Sequence, residues 1–209
     1  MRDSKARVTH RRRSTDDRAD KAAAEAAALR AEVARLSEEL LRAGQKIAEL
    51  EARADVDPLL DIFNRRGFER ELVRSLAYIE RYGTAAALMY IDLDGFKAVN
   101  DRHGHAAGDA LLKAVARTLT RRVRASDIVG RLGGDEFAIL MWHIGEAEAA
   151  AKARELETLI ADAGVSHRGA RLTVGASAGT VVIARPLDAA ALIDAADRAM
   201  YARKKERRR

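Results

Sequence analysis

The sequence contains no cysteine and no apolar run that approaches the ~18–20 residues needed to cross a lipid bilayer. Without cysteine, the chain cannot form disulfide bonds or thiolate metal sites, and this composition suits a reducing compartment. The first residues are basic and polar, and they lack the apolar core of a secretory signal peptide. We therefore expect no membrane partner and a cytoplasmic location.

Basic residues are concentrated at the two tips of the chain. Residues 1–13 and 203–209 each carry a net charge of +5, whereas the whole chain carries +6, so the body between them carries −4. A nucleic-acid-binding domain more often carries basic residues across a folded face, and we expect no nucleic-acid partner. We interpret residues 1–20 as a disordered basic tail. The alternative is an arm that binds nucleic acid or a membrane.

Proline is absent from residues 21–54, and glycine occurs there only at position 44. Apolar residues recur at alternating steps of four and three, which is typical of the a/d seam of a left-handed coiled coil. This seam consists of Ala22, Ala26, Leu29, Val33, Leu36, Leu40, Ala43, Ile47, Leu50 and Ala54. Because Pro58 cannot continue the helix, the pattern predicts a dimerising coiled-coil helix over residues 21–56. The alternative is a single helix that packs on its own domain.

Residues 57–209 alternate between strand and helix patterns. The apolar periodicity predicts strands at 85–91, 127–132, 136–142 and 172–183, and helices at 64–82, 96–101, 109–122, 147–163 and 187–205. Such alternation is typical of α/β folds, in which helices flank a central sheet. We therefore predict one α/β domain with a central mixed β-sheet, preceded by the long coiled-coil helix.

An acidic cluster follows the first of these strands. Asp92 and Asp94 are separated by one residue, and Gly95 then precedes the start of a helix at Phe96. Carboxylates at the end of a strand can hold Mg²⁺, which prefers oxygen ligands, and the free amides of a helix N-terminus suit phosphate. The alternative is an ordinary aspartate cap of the helix.

A second acidic cluster lies in the predicted hairpin. Gly133 and Gly134 separate two strands, can adopt positive φ and leave room for a ligand. Asp135 and Glu136 follow them directly. An acidic turn is often only solvated, but a turn that meets Asp92 would complete a metal site for phosphoryl transfer.

Six motifs together resemble the GGDEF family of diguanylate cyclases, in the family's order and over roughly three-quarters of the chain. They are Asp57 with Asn64-Arg65-Arg66-Gly67-Phe68, Asp92-x-Asp94-x-Phe96-Lys97-x-x-Asn100-Asp101, Gly104-His105-x-x-Gly108-Asp109, Arg131-x-Gly133-Gly134-Asp135-Glu136-Phe137, Ser177-x-Gly179, and Ala196-Asp197 with Tyr201-x-x-Lys204. The resemblance implies a palm-like nucleotide-cyclase fold over residues 57–209. It also implies an enzyme that condenses two GTP into cyclic di-GMP and releases two pyrophosphates.

The resemblance further implies a role for each matching residue. Asp92, Asp135 and Glu136 would be the catalytic acids. These three side chains and the Leu93 carbonyl would be the ligands of Mg²⁺, for which Mn²⁺ could substitute. Asn100 and Asp109 would read the guanine edge, because a carboxylate accepts from the donors that guanine presents. The other substrate contacts would come from Phe96, Lys97, Arg131, Gly133, Gly134, Lys204 and Arg208.

Two further features qualify this assignment. His103 and His105 have a compact spacing that could suit a metal, but we favour a structural role, since the implied metal prefers oxygen ligands.

The chain departs from the family pattern at Leu60-Asp61, where Thr-Gly is usual. It departs again at Arg207-Arg208-Arg209, where Gly-Arg-Asn is usual, and this change bears on the terminal phosphate contact.

A candidate control site precedes the hairpin. Arg124 and Asp127 have the spacing of the family's R-x-x-D site, where cyclic di-GMP binds as an inhibitor away from the active site. Arginine can grip phosphate and guanine edges, and aspartate can accept from guanine. The family often adds an arginine from the next helix; Arg154 is the candidate, although the register places Glu155 there. The alternative is an ion pair that only holds the loop.

The implied product suggests that two copies of the chain work together. Its two phosphodiester links are equivalent, so each 3′-hydroxyl must attack the α-phosphate of the GTP on the other domain. A parallel coiled-coil homodimer would supply that second half-site. Three alternatives stay open: a receptor that binds cyclic di-GMP without catalysis, a scaffold whose tips bind nucleic acid, and a mixed-nucleotide cyclase. The retained acids argue against the first, and Asp109 argues against the third.

Overall fold

The computed structural model describes residues 29–30, 32–44, 46, 55–184 and 188–207. The chain divides into two compact units, residues 1–51 and residues 52–209. The predicted basic tail over residues 1–20 lies outside the described residues, as does Arg208. None of the helices in the described ranges combines the length and apolar character needed to span a membrane.

The N-terminal unit is helical wherever it is described. Arg35 forms ion pairs with Glu32 and Glu39 of the same helix, which stabilises the helical turns between them. The described leucines and valine of the predicted seam are between 49% and 76% exposed: Leu29, Val33, Leu36 and Leu40. These positions agree with the predicted helix, and its pairing into a coiled coil stays a prediction.

The C-terminal unit is an α/β domain. Its strands are β1 (Phe63–Asn64), β2 (Ala86–Asp94), β3 (Ile128–Arg131), β4 (Glu136–Trp142), β5 (Val165–His167), β6 (Ala170–Leu172) and β7 (Gly175–Val182). Its helices are α1 (Arg65–Tyr82), α2 (Phe96–His103), α3 (His105–Arg122), α4 (Glu146–Asp162) and α5 (Ala189–Arg207).

The main sheet is mixed and has the strand order β1-β3-β4-β2-β7, while β5 and β6 form a separate hairpin. Strand β1 runs parallel to β3, and every other pair of neighbours is antiparallel. The predicted fold class, a central mixed sheet flanked by helices, is confirmed.

Alternate residues of β2 enter two hydrophobic layers, one on each face of the sheet. Ile91 packs with residues of α3 and α4, whereas Leu88 and Tyr90 pack with residues of α1 and α5. Because side chains alternate along a strand, Asp92 and Asp94 continue the row that begins with Leu88 and Tyr90. The strand thus delivers both carboxylates to the face that carries α1 and α5.

Helix α5 packs closely against the edge strand β7. A Cβ atom at Gly179 would lie 2.0 Å from the backbone nitrogen of Met200, so only glycine permits this approach. Beside this contact, Glu157 of α4 accepts a hydrogen bond from the Ala178 N–H (2.9 Å) and pairs with Arg203 of α5 (3.2 Å). These contacts hold the last turns of α5 beside β7 and cover the outer edge of that strand.

Some element boundaries differ from the predicted ones. Helix α3 begins at His105 rather than Asp109, because the break between α2 and α3 is confined to Gly104, which has a φ of 81°. The predicted strand at 172–183 begins only at Gly175, since Leu172 belongs to β6. Strands β1, β5 and β6 have two or three residues each and were not predicted.

Candidate active site

The two acidic motifs meet at one end of the sheet. Strands β2 and β4 pair so that Asp92 lies directly opposite Glu136. One residue further, the Leu93 N–H donates a hydrogen bond to the Asp135 carbonyl at 3.1 Å. The sequence places these motifs more than forty residues apart, and the antiparallel ladder joins them. This juxtaposition is the geometric condition for a shared metal site.

The electrostatics at this end disfavour a further negative charge. Partial burial raises the pKa of the Asp135 carboxyl, and the nearby Asp92 carboxylate raises it further. Burial also raises the pKa of the Tyr90 hydroxyl, and the adjacent Glu136 carboxylate adds to the effect. A bound cation would relieve the repulsion between these acids.

The hairpin turn is held by Arg131. Its guanidinium donates to the carbonyls of Gly133 (3.0 Å) and Gly134 (2.7 Å), and it pairs with Asp57 (3.0 Å). The other oxygen of Asp57 accepts from the backbone N–H of Leu59 at 2.9 Å. Arg131 therefore ties the acidic turn to the start of the domain, which is a positioning role.

Gly133 of the hairpin turn leaves space for a neighbouring acid. Among the described residues, glycines with positive φ occur at 83, 95, 104 and 169, and Gly133 and Gly134 are not among them. The turn therefore does not use the positive φ that glycine permits. A Cβ atom at Gly133 would lie 2.2 Å from Glu136 Oε2, so a side chain there would displace this acid. A Cβ atom at Gly134 would meet no other atom within 4 Å.

Lys204 reaches from the last turns of α5 into the acidic cluster. Its ammonium pairs with Asp92 and lies 3.0 Å from Asp94 Oδ1. Partial burial opposes its charge, but the hydrogen bonds to Asp92 and Asp94 outweigh burial, so the pKa of Lys204 lies above its ordinary value. The second oxygen of Asp94 accepts a hydrogen bond from the buried Ser177 hydroxyl at 2.8 Å.

The donor set fits a hard divalent cation. Within the part of the chain that the structure describes, no three histidine, aspartate or glutamate side chains form a complete metal cage. Asp92 and Asp135 supply carboxylates and Leu93 supplies a carbonyl, and the ammonium of Lys204 already occupies a cationic position on Asp92. Mg²⁺ prefers oxygen ligands and commonly completes its shell with water and substrate phosphates. The residues present therefore fit such an ion without a fully preformed cage.

The predicted guanine residues lie where α2 meets α3. Asn100 packs against Gly108, where a Cβ atom would lie only 2.0 Å from Asn100 Oδ1. This amide oxygen is buried and has no hydrogen-bond partner among the described residues. Asp109 is exposed in the first turns of α3. A buried unpaired acceptor calls for an external donor, and the N–H groups of a guanine edge are such donors.

The remaining predicted substrate residues at the start of α2 differ in exposure. The side chain of Phe96 is 7% exposed and belongs to the hydrophobic core, so it is not available to a ligand at the start of α2. Lys97 is exposed beside it. Gly95, which precedes them, has a φ of 84°.

The R-x-x-D motif lies at the opposite end of β4, about 20 Å away along the strand. It borders a cavity of about 350 Å³ whose lining includes Arg124, Asp127, Trp142, Lys152 and Glu155. The two Asp127 oxygens accept from the N–H groups of Arg124 (2.8 Å) and Trp142 (3.1 Å). Arg154 is exposed on α4 and is not among the residues that line this cavity. Lys152 is the cation that α4 presents there.

Two positioning residues gained no role from the sequence. Ser177 and Asp57 stand in recognised motifs, but their contacts depend on partners that are distant in the chain. Ser177 meets Asp94 only because β7 pairs with β2, and Asp57 meets Arg131 across 74 positions. Their place in the family motifs was the one indication in the sequence that these residues matter. It did not indicate that Ser177 would contact Asp94 or that Asp57 would contact Arg131.

The chain resembles known proteins in sequence and in fold. The family model described as "Diguanylate cyclase, GGDEF domain" matches residues 54–209. The chain is 39% identical over 159 residues to the probable diguanylate cyclase DgcE of Escherichia coli strain K12, which covers 76% of this chain and 14% of that protein. It is 37% identical over 165 residues to the diguanylate cyclase TpbB of Pseudomonas aeruginosa strain UCBPP-PA14, which covers 77% of this chain and 38% of that protein. The chain thus spans less than half the length of these curated relatives.

A solved structure extends the likeness to the fold. It contains the coiled coil and GGDEF domain of DgcB from Caulobacter crescentus in complex with c-di-GMP. The TM-score is 0.72 at 27% identity, and the match covers 85% of this chain and 95% of that one. The family match extends over most of the chain and includes both acidic motifs that the sheet brings together. The chain belongs to the GGDEF domain family of diguanylate cyclases.

Proposed function

We propose that this chain is a diguanylate cyclase that condenses two GTP molecules into one cyclic di-GMP and two pyrophosphates. The observation that carries the proposal is the contact between the two acidic motifs, with Asp92 opposite Glu136 and Leu93 bonded to Asp135. The activity named for the family and for its relatives supports the same reaction.

The acids of this site would hold Mg²⁺ through Asp92, Asp135 and the Leu93 carbonyl, with Glu136 as a further ligand. When bound, Mg²⁺ neutralises charge on the reacting phosphate and on pyrophosphate, and it lowers the pKa of the attacking hydroxyl. Mn²⁺ would substitute because it accepts the same oxygen ligands. Glu136 lies on the same strand face as Asp92, and its carboxylate would orient the hydroxyl or accept its proton.

The nucleotide would be fixed at both of its ends. Asn100 and Asp109 would accept hydrogen bonds from the guanine N–H groups, which satisfies the buried Asn100 oxygen. The triphosphate would contact the amides at the start of α2 and the cations Lys97, Lys204 and Arg208. Because adenine lacks the same pair of donors, this arrangement would select GTP over ATP.

Two copies of the domain are required by the chemistry of the product. One domain would bind one GTP, and the 3′-hydroxyl of that GTP would attack the α-phosphate on the other domain. A parallel coiled coil over residues 21–56 would keep the second domain at high effective concentration. The exposed leucines and valine in the helical N-terminal unit support such a pairing.

Product inhibition would act through the cavity beside Arg124 and Asp127. Arg124 is exposed and can pair with a phosphate. Lys152, whose ammonium pairs with Glu155 at 3.0 Å, would turn from this carboxylate to add a second cation on the cavity wall. Arg154 would join only if the ligand extended beyond this cavity. Since both Asp127 oxygens already accept backbone hydrogen bonds, Asp127 would bind guanine through its remaining lone pairs while it holds the loop.

The direct test is incubation of the purified full chain with GTP and Mg²⁺, followed by identification of the product. We expect cyclic di-GMP and pyrophosphate in a ratio of one to two. Tight binding of cyclic di-GMP without any turnover would replace the proposal with a receptor function. Equal use of GTP and ATP would instead indicate a mixed-nucleotide cyclase.

The role of the coiled coil is tested by removing residues 1–56. We expect turnover per protomer to fall with dilution in the shortened chain, by about 10²-fold at low protein concentration, because the second half-site is no longer tethered. A chain that lacks only residues 1–20 is the matched control and should keep its activity. Equal turnover of the 57–209 chain at all concentrations would contradict the dimer proposal.

A further inference from the structure

Lys204 occupies a position among the acids that a metal ion would also need. Its ammonium pairs with Asp92 Oδ1 and lies 3.0 Å from Asp94 Oδ1. The Lys204 side chain is 17% exposed, so its charge is directed at these carboxylates rather than at solvent. Asp94 is itself fixed, because its other oxygen accepts from the buried Ser177 hydroxyl at 2.8 Å.

The Lys204 ammonium cannot stay on Asp92 while a metal ion binds to the same carboxylate. On the proposed function, Asp92 ligates the metal and Lys204 binds the triphosphate. An ammonium in contact with Asp92 would sit within a few ångströms of a divalent ion on that carboxylate, where two positive charges repel each other strongly. Lys204 must therefore leave Asp92 before the metal can bind there at full strength.

We propose that Lys204 is a built-in counter-ion that competes with the metal ion for Asp92 until a triphosphate draws it away. The inference rests on the proposed function for the identity of the metal site. Asp94 is the positioning residue that keeps Lys204 in place, since Ser177 holds its carboxylate toward the ammonium. Metal and nucleotide then bind cooperatively, because the phosphates that attract Lys204 also free Asp92.

The fold allows the side chain to move while the helix stays in place. Lys204 belongs to the last turn of α5. One residue earlier, Arg203 pairs with Glu157 of α4 and anchors the helix to the domain. The four-carbon stem of lysine can then swing the ammonium from the carboxylates to a phosphate.

The test measures Mn²⁺ binding to the full chain without nucleotide, through the electron paramagnetic resonance signal of free Mn²⁺. Lys204→Met and Lys204→Gln remove the charge, whereas Lys204→Arg keeps it. Lys205→Met is the matched control, because Lys205 is the exposed neighbour whose ammonium lies 4.6 Å from the centre of the Tyr201 ring. Circular dichroism checks that each variant is folded.

We expect both neutral variants to bind Mn²⁺ about tenfold more tightly than the natural chain, or more, because one positive charge has left the site. Lys204→Arg and Lys205→Met should bind Mn²⁺ as the natural chain does. Unchanged binding in the neutral Lys204 variants would overturn the proposal. An equal gain in Lys205→Met would also overturn it, since the effect would then reflect overall charge rather than this contact.

Failure of this inference is distinguishable from failure of the proposed function. If the natural chain forms cyclic di-GMP but the neutral variants gain no Mn²⁺ affinity, only the counter-ion role is lost. If the neutral variants gain Mn²⁺ affinity but the natural chain does not convert GTP, the cyclase proposal is lost and the counter-ion role stands.

Discussion

Asp127 and Asp135 lie near opposite ends of β4, and their carboxylates have different surroundings. Asp127 has both oxygens engaged by backbone N–H groups, from Arg124 and Trp142. Asp135 is half-buried beside Asp92, and its pKa is raised by burial and by that neighbouring charge. An acid whose oxygens accept from the protein's own donors stabilises the fold. An acid placed among like charges costs stability and is available to a cation.

The largest expected effect tests the acid at the turn. Asp135→Asn should lower the rate of cyclic di-GMP formation by roughly 10²–10³-fold or more, because a charged ligand of the metal is replaced by a neutral amide. The measurement is product formation at saturating GTP and Mg²⁺. Asp162→Asn, at the exposed end of α4, is the control that should keep full activity. Turnover retained in Asp135→Asn would remove Asp135 from the metal site.

A smaller effect is expected at the proposed guanine-binding residue Asn100. Its side-chain oxygen Oδ1 is buried and has no hydrogen-bond partner in the described chain. Asn100→Ala should raise the KM for GTP by roughly 10- to 100-fold, with a smaller change in kcat, because one hydrogen bond to the base is lost. Steady-state kinetics measures both constants. Asp101→Asn is the exposed neighbouring control. An unchanged KM in Asn100→Ala would contradict the guanine assignment.

At the opposite end of β4, a substitution of Asp127 should lower the stability of the fold. Asp127→Ala removes the acceptor of two backbone hydrogen bonds, and we expect the free energy of unfolding to fall by about 1–3 kcal/mol. Denaturant unfolding monitored by circular dichroism measures this loss, with Ser126→Ala as the exposed control. If Asp127→Ala were as stable as the natural chain, the two hydrogen bonds would not hold the loop.

The smallest expected effect is a pH-dependent difference in melting temperature caused by the charge of Asp135. The folded-state pKa of Asp135 lies above its ordinary value, so the folded chain holds this proton more tightly than the unfolded chain does. The ionised carboxylate therefore costs stability at pH 7, and the cost declines as the pH falls through the folded pKa toward the unfolded one. Asp135→Asn should melt at a slightly higher temperature at pH 7 in metal-free buffer, and the difference should close once the pH lies below the ordinary pKa of an aspartate. A lower melting temperature at pH 7 would contradict this sign.

Local pattern predicted the regular elements best where turn residues bounded them. The limits of β4, Glu136 to Trp142, were predicted correctly because an acidic glycine turn precedes the strand and a polar segment follows it. Strands β5 and β6 were missed because three residues are too few to carry an alternation. The start of α3 was placed four residues late, since only the backbone of Gly104 separates it from α2.

The candidate site was predictable as a set of residues but not as a set of contacts. The motifs indicated Asp92, Asp135 and Asn100 before any fold was known. They did not indicate that Arg131 holds the hairpin turn, or that α4 presents Lys152 rather than Arg154 to the R-x-x-D cavity. Those outcomes depend on side-chain direction and on the angle at which a helix meets its neighbours.

The sequence by itself determined which acids, glycines and cations the protein has, and which short stretches form helix or strand, because these properties depend on neighbouring residues. Only the tertiary structure decided which of them touch. The ammonium of Lys204 reaches Asp92 across 112 positions, and Ser177 reaches Asp94 across 83. Such contacts depend on sheet register and helix docking, which many distant packing contacts fix together, and no local pattern contains that sum.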